Sequence, residues 1–409
     1  MMGGDGQLFL QIGLVIIVAS VLSLAFARMR QPMIVAYMVA GLLVGPGVLG
    51  LVESSGMFEA LSQVGVAFLL FLVGVKLDWR QMKEVGPVAI VAGVVEVAVG
   101  SMAGYLIAQV LGFDVWTSVF LGVAFSFAST IVVVKLLADK EELDRLYGRI
   151  SVGILIVQDV IAMVLLLALS AFGNNADMGA LLTVSIFKGA LVLLALFIVA
   201  HWLLRPLMKY ASRSQELLFL TSVGWCFAVA ATLVFLGFSI EIGALLAGIA
   251  LAGTTPHREI ESKVKPLRDF FLIIFFIVLG THMTFSSLGD QWLPVLVFSV
   301  WVLVGNPLVI LLILRSLGYH PRAGFLAGTS LAQISEFSFI LIAGSVAAGL
   351  VNPSAVSLVA FVGVMTIAVS SYFITYNDQV YQAMSWAFDW MAPRRFSESK
   401  AALHTADVL

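Results

Sequence analysis

Four acidic residues, Glu96, Asp159, Glu241 and Glu336, stand inside long apolar runs of this 409-residue chain. A charge at the centre of a membrane helix costs at least ~3 kcal/mol, so each acid needs a reason to be there. Asp159 is the sharpest case. It lies in Ile154-Leu155-Ile156-Val157-Gln158-Asp159-Val160-Ile161-Ala162, with no basic residue within a helical turn. A carboxylate so placed is neutralised by a proton or by a monovalent cation, and the two compete for it. Exchange of one for the other needs such a group; the alternative is a protonated acid tying two helices together. Gln158 points about 100° away around the same helix. Its amide carbonyl can face a cation but cannot titrate, so the pair carries one exchangeable proton. A plain interhelical hydrogen bond is the other reading of Gln158.

Two further polar clusters accompany this pair, Ser126-Phe127-Ala128-Ser129-Thr130 and Gln333-Ile334-Ser335-Glu336. Both are small and polar where a lipid-facing helix is Leu and Val, which reads as a helix broken at membrane depth. Such breaks free backbone carbonyls and present half-helix dipole ends beside an ion. Ser126, Ser129 and Thr130 are candidate ligands or positioners for an ion at Asp159, set against the habit of membrane Ser and Thr to bond their own backbone. Ser335, Gln333, Glu336 and Asn306 are supporting intramembrane polar groups; for Glu336 a structural role is favoured over a second titrating site. Glu96 and Glu241 are read as nearer helix ends, with packing or interface roles. His282 is read as a boundary histidine. The five histidines are scattered, with no His-Glu-x-x-His pair and no nucleophile elbow. The run from Asp139 to Asp144 reads as a solvated cytoplasmic loop in preference to the acidic metal motif of a membrane transferase. The lone Cys226 excludes a disulfide scaffold.

The elements that must position these groups are membrane helices. The chain is 61% apolar and 11% charged, with a mean hydropathy of +1.07, too little charge to solvate a soluble protein of this length. A net charge of −2 gives no basic surface for nucleic acid. About 20 apolar residues cross a bilayer as a helix. Windows of that length predict thirteen spans, at roughly 8–27, 32–50, 57–75, 86–111, 115–137, 149–171, 181–204, 215–236, 240–253, 266–283, 291–314, 321–346 and 352–376. With that count 21 of 22 basic residues fall on one side and Lys188 alone on the other. The positive-inside rule then sets the N-terminus outside and the C-terminus in the cytoplasm. The first span has no basic region before it and no cleavage site after it, so it does not read as a signal peptide. Thirteen spans divide into inverted six-helix repeats, about 1–171 and 215–376, joined by a linker helix at 181–204. The breaks fall in spans five and twelve, and a tail follows at 381–409. The expected fold is thus an all-α polytopic membrane protein, with 1–380 as one transmembrane domain.

With those residues set out, the chain resembles the monovalent cation/proton antiporter superfamily, second branch, and is most similar to the membrane domain of Kef-type potassium/proton exchangers. The landmarks are Gln31-Pro32 through Gly41-Leu42-Leu43-Val44-Gly45-Pro46, Phe68 to Gly74, Ala128-Ser129-Thr130-Ile131-Val132, Gln158-Asp159, Gly243 to Gly248, Phe275-Phe276-Ile277 and Ser335-Glu336-Phe337-Ser338-Phe339. The resemblance implies an NhaA/NapA-like antiporter fold, a homodimer in a bacterial inner membrane, and an elevator-like displacement of a core bundle. It places the cation at Asp159 near Gln158, with no cofactor beyond the transported potassium or sodium and the proton. A Gln-Asp pair resembles the potassium-associated, electroneutral type, whereas two adjacent aspartates mark sodium-directed, electrogenic relatives. Two departures stand out. Many relatives carry a lysine in the eleventh span, where this chain reads Val304-Gly305-Asn306-Pro307. Kef-type chains also continue into a cytoplasmic nucleotide-binding domain, and no Gly-x-Gly-x-x-Gly unit follows here. The regulator implied is then a separate subunit, a domain removed, or none. A gated cation channel without proton coupling is the reading from another class.

Overall fold

Long apolar runs must satisfy their backbone hydrogen bonds internally, and nearly every described segment of this chain is helical. The computed structural model describes residues 4–29, 31–46, 48–51, 56–76, 79–174, 191, 194–196, 198–252, 257–281 and 291–388. His282, Lys188, most of the expected linker helix and the tail beyond 388 lie outside them.

In chain order the helices are α1 (Gly4–Arg28), α2 (Met33–Val44), α3 (Gly56–Lys76), α4 (Trp79–Val110), α5 (Val115–Ala124), α6 (Thr130–Asp139) and α7 (Leu146–Asn174). There follow α8 (Arg205–Ala211), α9 (Gln215–Phe235), α10 (Ile240–Leu251), α11 (His257–Thr281) and α12 (Trp292–Val300). The remainder are α13 (Asn306–Ser316), α14 (Pro321–Ser330), α15 (Glu336–Ala347), α16 (Ser354–Thr375) and α17 (Asn377–Phe388). A π-helical turn, Trp301–Gly305, joins α12 to α13 and delivers Asn306. Among the described residues seven helices are long and apolar enough to cross a bilayer, and four shorter apolar ones lie at Met33–Val44, Val115–Ala124, Ile240–Leu251 and Glu336–Ala347. Three of the short ones fall where the sequence predicts full spans. The predicted 115–137 is two helices, α5 and α6. The predicted 321–346 is likewise α14 and α15, and 32–50 shortens to α2.

The chain divides into two compact units, one of Met1–Leu51, Met82–Ala162 and Gly280–Leu409, the other of Val52–Gln81 and Met163–Leu279. In the second unit α3 lies directly on α10. An added Cβ at Gly248 would fall 2.1 Å from the Phe71 carbonyl, and one at Gly74 2.3 Å from that of Leu245. Glycine at both positions lets the two backbones touch, a common device where lipid supplies no hydrophobic drive for helix association. Phe68 packs edge-on against Phe227, ring centroids 5.6 Å apart, and seals α3 to α9. In the first unit α16 is the central post. It packs on α2, α5, α6, α12, α14, α15 and α17, and its buried stripe includes Leu358, Val359, Val362 and Ile367. Around this post run the two interrupted helices.

Candidate ion-binding site

The first interruption begins where α5 ends at Ala124. Four successive carbonyls there lose their intrahelical partners, and each acquires another. Ser338 Oγ donates to Ala124 O at 2.5 Å, and Asn306 Nδ2 donates to Phe125 O at 2.9 Å. Gln158 Nε2 reaches Ser126 O at 3.5 Å, and the Ser335 backbone N–H donates to Phe127 O at 3.0 Å. The helix restarts at Ser129, whose side chain caps the Val132 N–H at 3.3 Å. The second interruption, Leu331 to Ser335, restarts the same way, with Ser335 Oγ accepting from Phe337 N–H at 3.2 Å. Serine at both restarts follows from the preference for a short side-chain acceptor at an N-cap. The two extended segments cross, with Ala128 and Ile334 paired as an antiparallel β-bridge.

Onto this crossing α7 projects Gln158 and Asp159, 1% and 7% exposed. The Thr130 hydroxyl lies 3.1 and 3.3 Å from the two carboxylate oxygens of Asp159 and can donate to one at a time. Thr130 is the first residue of α6, so the carboxylate stands near the positive end of that half-helix, which favours negative charge. Gln158 spans the break rather than turning to Asp159. Its Oε1 accepts from the Ala128 N–H at 3.0 Å, and its Nε2 donates to the Glu96 carboxylate.

That last contact corrects the expectation for Glu96. It is not near a helix end: α4 begins at Trp79, so Glu96 lies mid-helix and 1% exposed. Through Gln158 it belongs to the cluster around Asp159. Glycine at position 122 of α5 helps bring α4 in, because an added Cβ there would lie 2.4 Å from the Ser101 carbonyl.

Ser126 turns to its own backbone, donating to Val123 O at 2.8 Å, and accepts from Ser101 Oγ at 3.2 Å. Ser129 and Ser335 cap their helices; Ser335 Oγ also lies 3.4 Å from Glu336 Oε2. Glu336 occupies the first turn of α15, another positive dipole end. Gln333 Nε2 donates to Ser330 O at 3.2 Å, near the negative end of α14. The carbonyl oxygens of Asn306 and Gln333 are buried without a hydrogen-bond donor among the described residues, and are open to a cation or a proton-bearing group. Glu241 is in the first turn of α10, in the other unit. Where many relatives of the resembled family place a lysine, Asn306 supplies a neutral N–H to the negative end of α5.

The groups placed at Asp159 are its own carboxylate and the Thr130 hydroxyl, with the Glu96 carboxylate one bridge away through Gln158, all hard oxygen. Such oxygens replace the hydration shell of a small monovalent cation, or the carboxylate takes a proton. Among the described residues no three His, Cys, Asp or Glu side chains group as ligands for a metal ion.

Comparison with known proteins places this geometry in context. Residues 14–375 match the family model described as sodium/hydrogen exchanger, transmembrane. The chain is 32% identical over 352 residues to a protein of Paramagnetospirillum magneticum named an iron transporter, covering 85% of this chain and 80% of that one. It is 30% identical over 346 residues to K(+) efflux antiporter 5 of Arabidopsis thaliana, covering 83% of this chain and 61% of that one. It is 30% identical over 338 residues to a putative cation/proton antiporter of Escherichia coli, 80% of this chain and 60% of that one. This chain thus spans about three fifths of those last two relatives. The solved structure of a sodium proton antiporter from Methanocaldococcus jannaschii aligns with a TM-score of 0.67 over 92% of this chain and 99% of that one, at 15% identity, and the two share a fold.

Proposed function

Because the chain belongs to the sodium/hydrogen exchanger transmembrane family, we propose that it exchanges one monovalent cation, potassium in first place and sodium as the alternative, for one proton. Asp159 binds each in turn, with the Thr130 hydroxyl beside it. The observation that carries this reading is the buried Asp159 carboxylate held against the Thr130 hydroxyl at the start of α6. A single carboxylate there holds either a cation or a proton, and the occupied form carries no net charge in both cases. That equality lets one structure carry either cargo across apolar surroundings.

Potassium is put first because the neighbour of Asp159 is an amide. Gln158 is engaged with Ala128 N–H and Glu96, so it adds no second exchangeable proton and supports one-for-one, electroneutral exchange. The relatives named potassium efflux antiporters agree with that choice. We place thirteen helices in two inverted repeats in the bilayer, in a homodimer of a bacterial inner membrane, the N-terminus periplasmic and the C-terminus cytoplasmic. The core moves by an elevator-type displacement, and a nucleotide-binding regulator acts as a separate cytoplasmic subunit or domain.

The relative named an iron transporter favours a second cargo, ferrous iron, by its identity to this chain. Hard oxygens with no histidine or cysteine in the cluster suit it less well.

The test is transport. Protein in vesicles loaded with a pH dye is given an inward gradient of potassium, sodium or ferrous iron in turn. Potassium-driven proton efflux, collapsed in Asp159→Asn and insensitive to membrane potential, is the expected result. Unaltered exchange in Asp159→Asn removes the assignment, and cation flux with no proton movement replaces it with a channel.

A further inference from the structure

Away from the ion site, the loop between α6 and α7 holds a buried carboxylate. Glu142, 5% exposed, pairs with Lys140 Nζ at 2.8 Å and Arg145 at 3.3 Å, and accepts from the Tyr147 hydroxyl. Lys140 also donates to Asn377 Oδ1 at 2.7 Å and to the Ile374 carbonyl at 3.0 Å. Asn377 Nδ2 donates to the Tyr147 hydroxyl at 3.1 Å. The four side chains Lys140, Glu142, Tyr147 and Asn377 therefore close a ring of hydrogen bonds. Glu141, inside the same loop, has a φ of 57°, a left-handed conformation that non-glycine residues adopt rarely and only where surroundings hold it.

The partner in that ring, Asn377, is the first residue of α17 and 1% exposed. The next residue, Asp378, pairs with Arg322 at 3.0 Å, and the Tyr381 ring packs tilted against that of Phe325, centroids 5.5 Å apart. Arg322 and Phe325 belong to α14. One short helix thus grips the end of α6 and the start of α14, the outer ends of the two interrupted helices. Between those helices, the crossing itself supplies the Ala128–Ile334 bridge, the Ser335-to-Phe127 hydrogen bond and the Ser338 contact to Ala124.

We propose that α17 is a strap that makes the two interrupted helices move as one body, with the Lys140–Glu142–Tyr147–Asn377 ring as its clasp. The crossing alone is a pivot, held near one point, about which two half-helix pairs can rotate. A second attachment at their ends removes that rotation, so displacement of α6 carries α14 with it. Any segment or partner that pulls on α17 would act on the ion site through the same clasp. The effect on transport rests on the exchange reading above; the mechanical link does not.

Hydrogen exchange by mass spectrometry on the full chain in detergent measures the link directly. Asn377→Ala is expected to speed exchange about tenfold at the end of α6 and the start of α14, the effect of losing roughly one buried charge-assisted hydrogen bond, while α3 and α10 keep wild-type protection. In vesicles, Asn377→Ala and Asp378→Arg each lower the maximal rate of cation-driven proton flux about fivefold at unchanged apparent KM, and Arg322→Asp added to Asp378→Arg restores it. Unchanged exchange at both helix ends in Asn377→Ala overturns the strap. So does failure of the charge swap to restore the rate in a protein whose α3 and α10 remain protected. If the unmodified protein moves no protons, the exchange function falls, and the hydrogen-exchange arm still decides the strap.

Discussion

At Asp159 the whole proposal reduces to competition for one carboxylate, which fixes its pH dependence. A proton and a cation that exclude each other at one site make the apparent cation KM rise as pH falls, by about tenfold per pH unit once the site is mostly protonated. A steeper slope would mean that Glu96 or Glu336 titrates with it, and would end the one-proton reading. Initial rates at several pH values and cation concentrations measure that slope. Gln158 is a different kind of residue. Its replacement by leucine strands the Ala128 N–H and the Glu96 carboxylate, both buried, and is expected to cost about 3 kcal/mol or more of stability, read as a lower Tm in detergent. Glu96→Gln keeps an acceptor for Gln158 and is expected to stay within about 1 kcal/mol of the parent. Asp159 and Gln158 are legible in the sequence because a charge among Ile, Leu and Val is conspicuous on its own. Glu96 is equally conspicuous, but its partner lies 62 residues away, and no local pattern signals a contact across that distance.

Each helix break depends on groups from elsewhere in the chain. The sequence shows where the helices break, since small polar runs are anomalous in a span. It does not show how the freed carbonyls are satisfied, because Ser338 and Asn306 reach Ala124 and Phe125 from 214 and 181 residues away. For the same reason Asn306 reads in the sequence only as a missing lysine, whereas in the fold it closes the end of α5. The approach of α4 to α5 is equally non-local. Gly122→Leu sets a side chain against the Ser101 carbonyl, pushes α4 outward and separates Glu96 from Gln158. Loss of transport with a Tm several degrees lower is expected, and wild-type flux in that variant would show the close approach to be dispensable. At the other end of α5, Asp114 caps the Thr117 N–H at 3.0 Å. The Thr117 side chain and then its backbone N–H hold the Asp114 carboxyl below its usual range. A depressed pKa in the fold contributes stability above the unfolded value near 4, and that contribution is lost as pH falls through the folded pKa. Asp114→Ala should therefore cost about 1 kcal/mol near neutrality, and less once screening at this exposed site is counted. The difference from the parent should shrink as pH falls through the folded pKa of Asp114, which paired melts at neutral and acidic pH would show.

Across the whole molecule, the proposed sidedness rests on charge. Nearly all the basic residues fall on one side only if the segment from Asp114 to Lys140 crosses the membrane once, as two half-helices totalling 20 residues. At 1.5 Å per residue, those half-helices reach about 30 Å when stacked, enough to traverse the hydrocarbon core. If either half turned back instead, its two ends would share a side and every later loop would exchange sides. Val115 and Asp144 are both exposed and flank this segment. With Cys226, itself buried, replaced by serine, Val115→Cys should react with a membrane-impermeant maleimide only from outside intact cells. Asp144→Cys should react only after the membrane is opened. Labelling of both from one side would make the first interrupted helix a re-entrant loop. The crossing would then be reached from a single face, and alternating access at Asp159 would lose its geometric basis.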